Sequence, residues 1–257
     1  MWSASSWAMW KQCPHKLQLR EQKWSTPRNK PDSRSAIWAV PGLVVDKLFQ
    51  LWFYRREFYN KEWLQDNFDL VWEMTLDQKR PKWMDEDEHN YIRVRTQKSV
   101  AILYKLLHQH ELLNEKIGIQ TEFHEPISDG ISIAGAIDLW SIRNDGKLVV
   151  VDFKNFGSNS HRSVDQLHFY AMALKRILGR EPDEAGYVCF HPGYEGYRKA
   201  VLRPCDRNRL LARIKRATVE KQSGNCPAKY SFVTCPRFCE MRFQCTTFKQ
   251  KSGLLTR

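Results

Sequence analysis

The sequence predicts an α/β fold: a central mixed β-sheet flanked by helices, with a mainly helical N-terminal part before it and a cysteine-rich tail after it. Three observations predict this. Apolar residues recur at helical spacing from Leu43 to about Leu76 and from about Tyr91 to Asn114. From Ile117 the pattern changes to alternating or continuous apolar runs parted by Gly-containing turns, which is strand and hairpin patterning. Helix and strand then follow the meander, an order that suits α/β or α+β layering. With 42% hydrophobic residues among 257, the chain can build a sizeable core. We expect one domain of three consecutive parts: 1–117 mainly helical, 118–204 the αβ core, and 205–257 a basic helix and the tail.

Taken in order, Ser3 or Ser5 caps a short helix through Trp7, Trp10 and Cys13. Residues 21–35 are polar, basic and proline-bearing, and read as a connector. The acidic run Asp85 to Glu88 reads as a solvated helix start, favoured by the positive end of the helix dipole. The strands are IGIQTEFHEPI, ISIAGAIDLWSI and KLVVVDF, joined by SDG and NDG turns. Ser163 opens a helix that stops at Gly179; strands at about 185–191 and 197–203 and a basic helix at about 206–221 follow. No repeat or low-complexity segment interrupts the pattern. No N-terminal apolar run resembles a secretory signal, and none has the length of a membrane span. The expected setting is therefore a reducing cytoplasm, where seven cysteines serve metals more readily than disulfides.

A formal net charge of +12 favours a polyanionic partner, of which nucleic acid is the commonest. The NDG turn carries the chemistry. If Asn144, Asp145 and Gly146 form a three-residue loop with Gly146 left-handed, Arg143 pairs with Lys147 and Asp138 falls opposite Asp152. Opposed residues share a face with Cβ atoms roughly 5 Å apart, and Lys154, two residues on, points the same way. Two carboxylates that close repel unless a cation lies between them, and Mg²⁺ or Mn²⁺ with oxygen ligands meets that need. The competing interpretation is an ordinary solvent-facing hairpin. The apolar run LVVVDF argues against it, because a strand of that kind is buried and a buried carboxylate needs a partner.

These residues resemble the PD-(D/E)xK nuclease superfamily, in particular the RecB-like branch that carries an iron–sulfur cluster and includes nucleases of CRISPR adaptation and many phage exonucleases. The matching elements are Gly135-Ala136-Ile137-Asp138, Val150-Val151-Asp152-Phe153-Lys154, and Gln166 with Tyr170 on the following helix. The resemblance implies a restriction-endonuclease-like core, with Asp138 and Asp152 as metal ligands and Lys154, Gln166 and Tyr170 completing the catalytic site. Gln166 and Tyr170 are four apart and share a helix face. Ser163 and Gln166 also have capping-box spacing, which would make Gln166 structural. Where the family carries Gly-x-x-x-His on an early helix, this chain reads Gly42-Leu43-Val44-Val45-Asp46. Asp46 stands as the third metal ligand or as a helix-surface residue, with His124 and His168 as other candidates.

Cys235, Cys239 and Cys245 cluster in the tail. The resemblance implies that they join Cys13 around a [4Fe–4S] cluster, although the gap between Cys235 and Cys239 is one residue longer than the family's. Zinc is the alternative occupant, and Cys226 competes as a local ligand. Cys189 lies in an apolar strand, and Cys205 has no evident partner. Ten tryptophans interspersed with basic residues suit single-strand stacking and phosphate contact. The stretch from Arg207 to Arg216 with Lys221 is either part of that surface or a solvated helix face. The expected function is a metal-dependent DNA exonuclease on single strands or free ends, in phage recombination, replication or CRISPR spacer processing. An endonuclease or nickase, or a non-catalytic DNA-binding module, are the alternatives. A helicase or integrase partner and homo-oligomers are compatible with this reading; a membrane is not.

Overall fold

The computed structural model describes residues 1–22, 33–55, 60–79, 85–114, 116–128, 130–155, 163–231 and 245–251. Its elements are α1 (Ala4–Gln12), α2 (Pro14–Gln22), α3 (Ser33–Tyr54), α4 (Lys61–Asp66), α5 (Phe68–Lys79), α6 (Glu86–Gln109), β1 (Ile117–Ser128), β2 (Ile131–Ile142), β3 (Leu148–Lys154), α7 (Val164–Ile177), β4 (Glu184–Cys189), β5 (Gly196–Ala200), α8 (Pro204–Gln222) and α9 (Thr246–Lys251). The sheet has the order β1-β2-β3-β4-β5. β3 pairs antiparallel with β2 and parallel with β4, and β4 pairs antiparallel with β5, so the sheet is mixed as the sequence predicts. The chain divides into two compact units.

The larger unit comprises Arg28–Phe123 and Ala136–Leu202. Every residue of β3 except Lys154 is buried, the pattern of a central strand covered on both faces. Because β3 and β4 run parallel, a crossover must join them, and α7 supplies it. Residues Leu167 to Leu174 of α7 are all buried, so the middle of this helix is enclosed while its two ends reach the surface. On α3, Val40, Val44, Val45, Leu48, Phe49 and Trp52 form one buried stripe, facing Val71 and Trp72 of α5, Leu103 and Leu107 of α6, and Leu139, Val149 and Val151 of the sheet in one core cluster. Asp85 caps α6 by accepting the Glu88 amide at 2.7 Å, with Glu86, Asp87 and Glu88 in the first turn, which is the helix-start role expected of this acidic run.

The helical region before the sheet is more broken than its periodicity implies. Asn60 caps α4 through the Trp63 amide at 2.9 Å, and Asn67 ends it before Phe68 opens α5. The connector expected at 21–35 is shortened from both sides, because α2 runs to Gln22 and α3 starts at Ser33; residues 23–32 lie outside the described residues. Pro14 at the first position of α2 is compatible with a helix start, which the charged composition of the segment concealed.

At the far end of the same sheet unit, Glu184 gathers three donors: Tyr197 at 2.7 Å, Lys199 at 2.8 Å and Arg143 at 3.2 Å. Burial alone would raise its pKa, but hydrogen bonds from Lys199, Tyr197 and Arg143 outweigh burial and hold the carboxyl down to about 2. A depressed carboxyl pKa lends stability that is present above the ordinary value and is lost as pH falls through the folded one. Glu184→Gln is therefore expected to lose on the order of 2 kcal/mol near neutral pH, after discounting for partial exposure. That is a fall of about 5 °C in Tm, narrowing towards zero as pH approaches 2. Equal melting curves for variant and wild type at neutral pH would contradict this.

The smaller unit comprises Met1–Pro27, His124–Gly135 and Arg203–Arg257. Ser3, rather than Ser5, caps α1, in a reciprocal box with Ser6. Trp2 forms a parallel bridge to Ile133, exchanging backbone hydrogen bonds of 2.8 Å with Ser132 and Ala134. Its indole meets Trp7 and Trp10 edge-on, and its N–H donates to Thr218 of α8 at 2.8 Å. Leu210, Ile214 and Ala217 form the buried face of α8. Among the described residues no helix is long and apolar enough to cross a membrane.

Candidate active site

The β2–β3 hairpin has the register that the turn count predicts. Ile142 pairs with Leu148, Ser141 with Val149, Trp140 with Val150 and Leu139 with Val151. Arg143 donates to the Lys147 carbonyl at 2.9 Å, and Gly146, with φ of 80°, donates back to Arg143 at 2.9 Å. A left-handed residue is required at that point, which a glycine adopts without steric cost. Pairing ends at Leu139 and Val151, and the next residues along the two strands are Asp138 and Asp152. Regular pairing stops here because the Phe153 amide donates to Asp138 Oδ2, at 2.8 Å, instead of to a strand carbonyl. The side chain of Asp138 thus opens the ladder at the point where the carboxylates meet.

Around this pair runs a closed circuit of polar contacts, all within the sheet unit. Lys154 Nζ lies 2.5 Å from Asp152 Oδ2 and donates to Gln166 Oε1 at 3.3 Å. Gln166 Nε2 donates to Tyr170 Oη at 2.8 Å. The Tyr170 hydroxyl lies 3.3 Å from Asp152 Oδ1 and 3.4 Å from Asp138 Oδ1, so one donor serves two carboxylates. Phe123 packs edge-on against the Tyr170 ring at 6.4 Å. Ser163 makes no side-chain cap on α7, and the Gln166 side chain is spent on Lys154 and Tyr170. The structure therefore places Gln166 in the polar circuit and not in a capping box.

Electrostatics single out the same residues. Asp152 has no exposed surface. Burial raises its pKa, with Lys154 pulling the other way. Burial and then the charge of Asp152 hold Asp138 well above the usual carboxylate range. On α3, burial and then the charge of Asp152 push Asp46 up to about 6, against the pull of Lys154. Burial and the charges of Asp138 and Asp152 drive Tyr170 well above its ordinary value, so it remains a protonated donor. Three carboxyls in one electrostatic neighbourhood with one ammonium form an excess of negative charge that a hard divalent cation would relieve. This donor chemistry suits Mg²⁺ or Mn²⁺. Among the described residues, no three His, Cys, Asp or Glu side chains already stand in metal-holding geometry, so Asp46 is coupled to the pair by charge and not by a shared ligand position.

A consequence is testable without any cleavage assay. Because the folded-state pKa of Asp138 is raised, its contribution to stability is present when the carboxyl is protonated and is lost as pH rises through that value. Asp138→Asn keeps the shape and an acceptor for the Phe153 amide while removing the charge. In EDTA above neutral pH the variant is expected to melt about 2–4 °C higher than wild type, a gain of about 1 kcal/mol. A lower Tm would show that the carboxylate supports the fold.

Sequence reasoning missed Gln120. It sits within β1 at φ of 47° and its amide approaches Asp138 Oδ1 at 3.5 Å. Gly118 and Ile119 are both buried, so the strand alternation breaks immediately before it. A residue re-aimed by a left-handed backbone leaves no mark in a strand pattern, and no sequence signal would have found it. His124 is exposed, and His168 is buried on α7 away from the Gln166–Tyr170 face.

Among the cysteines, Cys235 and Cys239 lie outside the described residues. Cys13 and Cys245 are free thiols of intermediate exposure. Cys13 Sγ accepts the Lys229 amide at 3.4 Å, and the Lys229 ammonium reaches the Lys11 carbonyl at 3.1 Å. The chain thus passes Cys13 six residues before Cys235. Cys226 is buried, and burial pushes its thiol pKa up, which disfavours the thiolate that a metal requires. Cys189 is buried in β4 and Cys205 is exposed.

The family model of the PD-(D/E)XK nuclease superfamily matches residues 1–246. Among solved structures, the crystal structure of SSO0001 is similar at 14% identity over 81% of this chain and 84% of that one, with a TM-score of 0.38. No curated protein matches the chain.

Proposed function

The chain belongs to the PD-(D/E)XK nuclease superfamily, and from that premise we propose that it is a metal-dependent DNA exonuclease acting on single strands or free ends. The observation that carries this reading is the carboxylate pair Asp138–Asp152 on the two strands of the hairpin, tied by Tyr170 and Lys154, with Asp152 fully buried. In it Asp138 and Asp152 would hold Mg²⁺ or Mn²⁺, with Asp46 adding a third carboxyl charge that acts on the pair from α3. A divalent ion bound there supplies Lewis acidity, neutralising charge on a phosphate oxygen and making water a better nucleophile.

The protein's own residues do the rest. Lys154 stabilises the negative charge that grows on the phosphoryl group, an effect that is strong because the ammonium is already in place beside Asp152. Gln166 accepts from Lys154 and donates to Tyr170, so it fixes the ammonium's direction. Tyr170, held neutral by burial and by both carboxylates, donates to one oxygen of each and leaves their remaining lone pairs for the metal. Gln120 restrains Asp138 from the β1 side.

The substrate and the mode of attack are tested together by offering linear single strands, linear duplex and covalently closed circles, each with Mg²⁺ and with Mn²⁺. Progressive loss of the linear substrates with circles intact is expected. Nicking or linearisation of circles would replace the exonuclease by an endonuclease acting through the same residues.

We also propose that Cys13, Cys235, Cys239 and Cys245 hold a [4Fe–4S] cluster that staples the tail to the N-terminus. The approach of Lys229 to Cys13 supports that closure, and ligand binding to the folded state would add directly to stability. Protein purified without oxygen is expected to be brown, with broad visible absorbance that Cys13→Ser abolishes. Colourless protein with stoichiometric zinc would overturn the cluster. Such thiols suit a reducing bacterial, archaeal or phage-infected cytoplasm, where phage recombination, replication or CRISPR spacer processing would supply the DNA and a helicase or integrase partner.

A further inference from the structure

The net charge of +12 is divided very unevenly between the two units. The smaller unit has 17 Lys and Arg against 6 Asp and Glu, a net +11. The sheet unit, which contains the whole carboxylate site, has 24 against 23, a net +1. A nearly neutral unit whose site is itself an excess of carboxylates gives little attraction to a polyanion. The excess of positive charge that would hold a polyanion lies in the other unit.

Within that unit the charge has a specific seat. Arg209, Arg213 and Arg216 of α8 are exposed and spaced i, i+4, i+7, so they form one stripe along about 10 Å of helix. Arg213 lies over the Trp7 ring at 5.2 Å, with Lys11 over the same ring at 6.0 Å. An indole restrains a cation without cancelling its charge, whereas a carboxylate cancels it. Trp7 thereby keeps two cations side by side, while the Trp2 indole, edge-on to Trp7 and Trp10, ties this corner to Thr218 of α8. Arg209 and Arg216 contact Asp206 and Glu220 at 3.4 and 3.2 Å, but their side chains are 78% and 84% exposed. Pairs so exposed are worth little and yield readily to a phosphate.

We propose that the unit formed by Met1–Pro27, His124–Gly135 and Arg203–Arg257 is the nucleic-acid grip of this protein, and that it engages the phosphodiester backbone through the Arg209–Arg213–Arg216 stripe. The proposal deepens the nuclease reading, on which it rests for the identity of the polyanion. It assigns no base recognition, because phosphate contacts position a strand without reading it.

The test is fluorescence anisotropy of labelled oligo-dT binding to the full chain in EDTA, across a salt series. The triple variant Arg209→Gln, Arg213→Gln, Arg216→Gln is expected to bind roughly tenfold or more weakly, with the slope of log K against log salt reduced by about 2, three phosphate contacts of about 0.7 each. Replacing the same three arginines by lysine keeps the charges and should restore the slope. A control triple on exposed positions of the sheet unit, Lys98→Gln, Lys105→Gln and Arg176→Gln, should leave it unchanged. Equal losses from both glutamine triples, or wild-type binding by the α8 triple with an unchanged melting curve, would overturn the proposal. Binding is read without turnover, so the two readings fail separately. A protein that binds through α8 and never cuts loses only the nuclease reading; one that cuts and binds independently of α8 loses only the grip.

Discussion

Asp152→Asn is expected to lower metal-dependent DNA hydrolysis by roughly a thousandfold or more, equivalent to about 4 kcal/mol of transition-state stabilisation. Asparagine preserves the shape of the side chain and an oxygen to accept from Tyr170, so the change isolates the negative charge. Asp152 is fully buried, and its two oxygens face Tyr170 and Lys154. Losing its charge removes one of the two carboxylates that oppose each other across the hairpin and leaves Lys154 without its acid. The fold should survive, because the apolar neighbours of β3 are untouched. DNA binding in EDTA should survive as well, because the positive charge lies in the other unit. Unchanged cleavage by Asp152→Asn would remove the carboxylate pair from the mechanism.

Lys154→Met is expected to cost a hundredfold or more in kcat, the range seen when one preorganised charge or hydrogen-bond donor is taken from an active site. Methionine fills the space of the aliphatic stem and leaves out the ammonium. Two further effects separate this loss from simple unfolding. The ammonium offsets the raised pKa values of Asp46, Asp138 and Asp152, so without it the metal-free fold should be less stable. The same substitution removes a positive charge beside the cation site, so the metal concentration for half-maximal activity should not rise. A variant with normal kcat, or one rescued merely by more metal, would show that Lys154 serves only to bind or to fold.

The legible part of this site was the part set by local chemistry. Asn144-Asp145-Gly146 determined the loop length, the loop determined the register, and the register placed Asp138 against Asp152. Gln166 and Tyr170 were visible through the motif of the resembled family, and helical spacing put them on one face. Asp46 was visible only through its place in a motif, and nothing local could show that burial and the charge of Asp152 act on it. Gln120 was invisible, because its orientation comes from a left-handed backbone within a strand. The uneven division of charge was equally hidden: it depends on residues 1–27 and 203–257 belonging to one unit, and a linear reading separates them by the whole domain. The helix breaks at Asn60 and Asn67 were lost inside an apolar periodicity that continues across them.

The central claim is that the Asp138–Asp152 hairpin cuts DNA with a divalent metal. Its most direct test is the release of acid-soluble nucleotide from uniformly labelled linear DNA by wild type and Asp138→Asn, each with Mg²⁺, Mn²⁺ or EDTA. Release by wild type with either ion, none in EDTA, and none by the variant under any condition is the predicted result. Release that persists in EDTA, or that proceeds equally in the variant, would contradict the account.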